Sequence, residues 1–178
     1  FKKYTDNIIS VYDINRDTVN KAIEEKNADC ELFSNISELD LLILALYPEH
    51  SIQFIDKFKD MIPEKTIVTD CAGIKQKVCE KISRIAKKKG FVFIGGHPMA
   101  GIEKSGYEAS MSGLFKGASM ILTPYENTDE KHVEFIKAAL SPLGFSQFKI
   151  SDPKEHDKII AFTSQLAHVV SSAYILSP

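Results

Sequence analysis

The run Leu39-Asp40-Leu41-Leu42-Ile43-Leu44-Ala45-Leu46 constrains the fold more than any other stretch of the chain. It predicts a central strand buried on both faces, as in parallel sheets that carry helices on each side, and Tyr47-Pro48 ends it. The flanking pattern agrees. Ile8 to Tyr12 reads as a strand closed by Asp13, and Asn15 to Lys26 as a helix with Val19, Ala22 and Ile23 at helical spacing. A short strand includes Glu31 to Phe33, and a helix over His50 to Met61 aligns Ile52, Ile55, Phe58 and Met61 on one stripe. Thr66 to Thr69 is the next strand, closing at Asp70, followed by a helix from Lys75 to Lys89 and a strand from Phe91 to Ile94. Ser119 to Leu122 and Ser146 to Ile150 read as strands, with a helix over Glu130 to Leu140 between them. Strands alternating with helices of about a dozen residues imply βαβ units, and so an α/β fold with a doubly wound, mostly parallel sheet.

The segment from Pro153 onward differs in kind. Ile159, Phe162, Leu166, Val169, Val170, Ala173 and Tyr174 give one long, largely apolar helix that needs a partner surface. It reads as the lead into a helical domain or a dimer interface. The chain starts at Phe1 without an initiator Met and stops at Pro178 within this helical pattern, so it reads as part of a longer protein.

Composition narrows the classes. A length of 178 residues with 44% hydrophobic and 26% charged content suits a globular domain with a full core. The net charge of -2, with Lys87-Lys88-Lys89 at a helix end as the longest basic run, argues against nucleic-acid binding. Three cysteines, Cys30, Cys71 and Cys79, are odd in number and lack paired metal spacing, which points to reduced thiols in a cytoplasmic protein. No apolar stretch reaches transmembrane length, no signal peptide is visible, and no motif supports a catalytic metal.

The chemistry concentrates after the Phe91 to Ile94 strand. Gly95 to Gly106 gathers a histidine, a carboxylate and four glycines, and ligands bind at the ends of such strands. His97 is the side chain there suited to move protons near neutral pH; the alternative is a structural histidine in a tight turn. Asp13 stands at a strand end, where dinucleotide-binding, Rossmann-like folds place the carboxylate that holds the adenosine ribose; otherwise it caps the next helix. The G-x-G-x-x-G turn expected about 20 residues upstream would precede the first residue. A carboxylate at Asp13 favours NAD, while Arg16 nearby keeps NADP open. The turn Asp70-Cys71-Ala72-Gly73-Ile74-Lys75 occupies another strand end, with Lys75 a candidate ligand contact and Cys71 a weak candidate nucleophile. Asp157, Ser164, His168 and Ser171 share one face of the last helix, as a buried network or as the wall of a cleft. His132 and His156 read as surface residues.

These motifs together resemble the prephenate dehydrogenase family of tyrosine biosynthesis. The segment from Gly95 to Pro124, with its long H-P-x-A-G-x-E-x-S-G pattern, carries the resemblance; VYDIN around Asp13, Ala45 to Pro48 (ALYP), TDCAGIK and HDKIIAFTSQLAH follow in family order. The resemblance implies a Rossmann-like dinucleotide-binding domain over residues 1–152, lacking its first strand and phosphate loop, and the start of the interdomain helix of a helical dimerisation and substrate domain over 153–178. It implies NAD-dependent oxidative decarboxylation of prephenate to 4-hydroxyphenylpyruvate, or of arogenate to tyrosine, by a homodimer. His97 takes the catalytic role; Gly73, Glu103, Asp157, Ser164 and His168 fall at substrate positions; Asp13, Ala45, Leu46, Tyr47, Pro48, Asp70 and Lys75 fall on the cofactor side. Departures matter. Gly73 stands where the family often has a serine that orients the histidine, and Gln165 and Ala167 replace a frequent His and Pro. The only arginines are Arg16 and Arg84; a dianionic substrate calls for an arginine, and the resemblance implies that this one belongs to the helical domain beyond Pro178. Two other readings stand beside this one: a Rossmann dehydrogenase of the β-hydroxyacid type, and a non-catalytic nucleotide-sensing module.

Overall fold

A computed structural model describes the whole chain apart from residues 103, 126, 167, 168, 171–173 and 175–178, and of Ser164 and Gln165 it describes the backbone alone. Strands and helices alternate as β1 (Ser10–Val11), α1 (Arg16–Glu24), β2 (Cys30–Glu31), β3 (Leu41–Leu44), α2 (Pro48–Phe58), β4 (Ile67–Asp70), α3 (Gln76–Lys89), β5 (Val92–Pro98), β6 (Ser119–Pro124), α4 (Glu130–Leu140), β7 (Gln147–Ile150) and α5 (Pro153–Ile160). β1 and β2 form a parallel pair, and the other strands form a five-stranded sheet in the order β3-β4-β5-β6-β7. Every pairing in that sheet is parallel except β5 with β6. The mostly parallel, doubly wound expectation holds.

The sheet is covered on both faces, and the period of two along each strand decides which side a residue serves. Val68 and Phe93 join Leu42, Leu44, Phe54, Ile55, Val78 and Ile82 in one core layer. Their neighbours Ile67 and Ile94 join Met120, Leu122, Val133, Ile136 and Leu140 in the other. Local chemistry sets the helix starts: Asn15, Asp129 and Asp152 each accept from backbone N–H groups of the first turn. Gly90, at φ 88°, closes α3 in the left-handed region that suits glycine.

Two expectations need correction. The apolar run 39–46 is not the fully buried central strand: β3 lies at an edge of its sheet, and burial alternates along it, Leu42 and Leu44 inside, Leu41 and Ile43 half-covered. The strand buried at every residue is β4, between β3 and β5. Its sequence Ile-Val-Thr-Asp hides this, because two of its four buried residues are polar. The last segment is also not one uniform α-helix. α5 passes into a π-helical turn over Ala161–Gln165, which interrupts the 3.6-residue spacing on which the shared face of Asp157 and Ser164 was predicted.

Candidate active site

The site is built where β4 and β5 end. Gly95 and Gly96 read as turn residues in the sequence, yet both lie inside β5, which continues through His97 and Pro98 opposite Ile121 and Met120. Close packing requires the glycines. A Cβ at Gly95 would strike Thr123 Oγ1 and Cys79 Sγ, and one at Gly96 would strike Asp70 O and the Met120 methyl. His97 is thus carried on a paired strand rather than a loop.

Beneath it, Asp70 and Lys75 are fully buried and ion-paired. The Asp70 carboxylate also accepts from Ala72 N (3.0 Å) and Gly96 N (2.9 Å), and Lys75 Nζ donates to Gly96 O (2.6 Å). Sequence reading expected both side chains to face a cofactor. The structure instead turns them into the core, where they knit the end of β4 to β5 and to the start of α3.

His97 heads a relay. Its Nδ1 lies 2.9 Å from His156 Nε2, and His156 Nδ1 lies 2.8 Å from Asp157 Oδ1. Asp157 in turn accepts from Lys75 N (2.7 Å, Oδ1) and Gln76 N (2.9 Å, Oδ2), the amides that open α3. An ionised carboxylate only accepts, so His156 carries its proton on Nδ1. With both rings neutral, His156 Nε2 accepts from His97 Nδ1–H, and the lone pair of His97 is left on Nε2. That atom faces Gly73, whose absent Cβ would stand 3.7 Å from it.

The electrostatics keep this base unprotonated. Burial first, then the electrostatic effect of the neighbouring His156 ring and of Lys75, push His97 down to about 4, against a smaller opposing pull from Asp157. Burial raises Asp157, but the Gln76 amide, the His156 ring and the Lys75 amide outweigh it and hold the carboxyl below its ordinary value. Burial drives Cys71 up to about 12 and Cys79 to about 11, so neither thiol is an activated nucleophile.

His156 is the residue sequence reading misplaced. It was expected at the surface and is 1% exposed. Adjacent helix positions point apart, so with Asp157 assigned inward, its neighbour read as outward. At this helix start both are used, one against β5 and the other against α3.

The residues expected on the cofactor side lie at other strand ends. Asp13, two residues beyond β1, accepts from Asn15 N (2.8 Å) through Oδ1; Oδ2 has no partner among the described residues. Ala45, Leu46 and Tyr47 are exposed past the end of β3, and Pro48 opens α2. Glu103 and His168 lie outside the described residues, as does the side chain of Ser164. The structure therefore brings together His97, Gly73, Asp70, Lys75 and Asp157, adds His156, and shows, among the described residues, no side-chain hydrogen bond or ion pair from Asp13 or Ala45 to Pro48 to them.

A doubly wound α/β fold with an open carboxylate after β1 and a neutral, oriented histidine at another strand end defines a dinucleotide-binding domain of the dehydrogenase kind. Comparison with known proteins makes the family definite. The chain belongs to the family described as prephenate dehydrogenase, nucleotide-binding domain, whose model matches residues 1–147. It is 32% identical over 143 residues to the prephenate dehydrogenase of Bacillus subtilis, covering 80% of this chain and 38% of that protein. Among solved structures it resembles prephenate dehydrogenase from Aquifex aeolicus in complex with hydroxyphenyl propionate and NAD+, with a TM-score of 0.80, 30% identity, and coverage of 92% of this chain and 57% of that one. It likewise resembles Synechocystis arogenate dehydrogenase, with a TM-score of 0.83, 29% identity, and coverage of 91% and 57%. The chain thus spans well under two thirds of the length of these relatives.

Proposed function

We propose that this chain is the nucleotide-binding part of an NAD-dependent prephenate dehydrogenase, converting prephenate to 4-hydroxyphenylpyruvate in tyrosine biosynthesis. The observation that carries this reading is the Asp157–His156–His97 relay at the strand ends, which leaves a neutral base with its lone pair on Nε2, beside Gly73. Asp13 would hold the adenosine ribose through its open carboxylate oxygen, and Ala45, Leu46, Tyr47 and Pro48 would line the cofactor cleft. NAD+ supplies the hydride acceptor. His97 Nε2 takes the proton of the hydroxyl on the carbon that gives up the hydride, which stabilises the developing carbonyl. Loss of CO2 then aromatises the ring. Asp70 and Lys75 act from below, fixing the strand end from which His97 projects. Gly73 and Asp157 belong to the substrate side; Glu103, Ser164 and His168 are assigned there by motif position.

The remaining assignments rest on the same footing. Residues 1–152 form the nucleotide-binding domain, and 153–178 begin the interdomain helix of a helical domain through which two copies pair. No described helix is long and apolar enough to cross a membrane; the reaction belongs in the cytoplasm, with a small-molecule substrate and no nucleic-acid or membrane partner. The likeness to the Synechocystis arogenate dehydrogenase makes arogenate the second substrate to test.

The test is NADH formation by the full-length protein with NAD+ and either substrate, comparing the parent with His97→Asn. A fall of about 100-fold or more, the scale of a general base, is expected. A folded protein that binds NAD+ and turns over neither substrate would move the assignment to the nucleotide-sensing module.

A further inference from the structure

The carboxyl edge of the β1–β2 pair holds an arrangement that the relay does not use. Arg16, the first residue of α1, is ion-paired with Glu31, the last residue of β2. Glu31 stands in register with Val11, two residues before Asp13, so the two carboxylates flank the point where α1 begins. The other cations nearby are also engaged: Lys2 pairs with Asp29, and Lys21 with Glu25 and Glu108. Asp13 has no cationic partner among the described residues, and Asp17 adds a further negative charge in the first turn of α1.

Arg16 is therefore the natural ligand for a phosphate on the adenosine ribose, and it is already committed. Its guanidinium would otherwise supply forked donors to that dianion. We propose that Glu31 is a specificity-determining residue: by holding Arg16 it denies the ribose 2′-phosphate its cation, and with Asp13 it selects NAD+ over NADP+. This rests on the cofactor reading above. Sequence alone left Arg16 as the argument for NADP; its pairing with Glu31 reverses that argument.

The experiment measures calorimetric binding of 5′-AMP and 2′,5′-ADP, together with NAD+ and NADP+, to the full-length protein, to Glu31→Gln, and to the double variant Glu31→Gln/Arg16→Ala. Glu31→Gln is expected to tighten 2′,5′-ADP and NADP+ by about 10-fold, the lower range for a charge-assisted bond at a solvent-exposed site, and to change 5′-AMP and NAD+ by less than about twofold. The double variant should lose the gain, because the released arginine produces it. A Glu31→Gln change in 2′,5′-ADP affinity below about twofold, or a gain that survives removal of Arg16, overturns the proposal while leaving the cofactor reading intact. Failure of the parent protein to bind 5′-AMP or NAD+ overturns both.

Discussion

Replacing His156 with phenylalanine separates the relay from the packing around it. The ring is 1% exposed, and phenylalanine keeps a flat ring at that position while removing both nitrogens. Two hydrogen bonds are lost, the 2.9 Å contact with His97 and the 2.8 Å contact with Asp157. Asp157 keeps its bonds to Lys75 N and Gln76 N, so the start of α3 stands. His97 Nδ1–H, however, loses its acceptor. A buried donor left unsatisfied costs about 1–3 kcal/mol, so the proton moves to Nε2 and the lone pair is withdrawn from the substrate side. At 1.4 kcal/mol per tenfold, this is roughly a 5- to 150-fold loss of the competent tautomer. We expect kcat of the full-length protein to fall about 10- to 100-fold, with KM changed by less than about threefold. NADH absorbance reads the rate, and imidazole 15N shifts of His97 read the tautomer directly. A kcat within about threefold of the parent, with the 15N pattern of His97 unchanged, would refute the relay.

Further expectations follow from the same geometry. Because His97 is held down to about 4, the acid limb of kcat/KM should lie near there rather than near 6.5; a limb at 6.5 or above would contradict the burial argument. The linkage has the same sign in stability: the unfolded chain takes up the His97 proton first as pH falls from about 6.5 to 4, so the folded state weakens across that window. The depressed Asp157 adds a loss below about 3.9, and urea unfolding at a series of pH values reads both. Gly73→Ser should place a hydroxyl within hydrogen-bond reach of His97 Nε2, given the 3.7 Å separation from the missing Cβ. Because that hydroxyl competes with substrate for the Nε2 lone pair, activity should fall by a few-fold, about the worth of one neutral hydrogen bond, and a rise would show that Nε2 is not the atom that takes the substrate proton. Lys75→Met should lower unfolding free energy by about 3–5 kcal/mol, because it strands the Asp70 charge in the core; a loss under about 1 kcal/mol in urea would show that the amides of Ala72 and Gly96 suffice for that carboxylate.

Much of the architecture was legible because apolar periodicity reports burial. The helices over Glu130–Leu140 and Gln76–Lys89 fall where their stripes placed them. Hydropathy misled where burial is polar. β4 is wholly buried but carries Thr69 and Asp70, whereas the more apolar 39–46 run forms an edge strand. Glycine misled in the same way: Gly95 and Gly96 signal a turn in sequence, but here they allow strand β5 to pass against Thr123, Cys79 and Asp70. His97 and Asp157 were legible as chemistry-bearing types in a motif. Their connection was not, since it runs through His156 across 59 residues of chain, and Lys75 read as a candidate ligand contact because nothing in the sequence pairs it with the buried carboxylate of Asp70.

The carboxylate of Asp157 performs two tasks at once, opening α3 and orienting the histidine pair, and it reaches both from α5. Every bond in that bridge is between 2.7 and 2.9 Å, so a shift of about an ångström anywhere along it takes the bridge outside hydrogen-bonding range. The base is therefore set only while α5 is seated. The relay is a docking gauge, which registers at His97 whether α5 is in place. Any hinge in that helix must pivot beyond Asp157, and the wide turn at Ala161–Gln165 begins four residues later, directly after Ile160 ends α5.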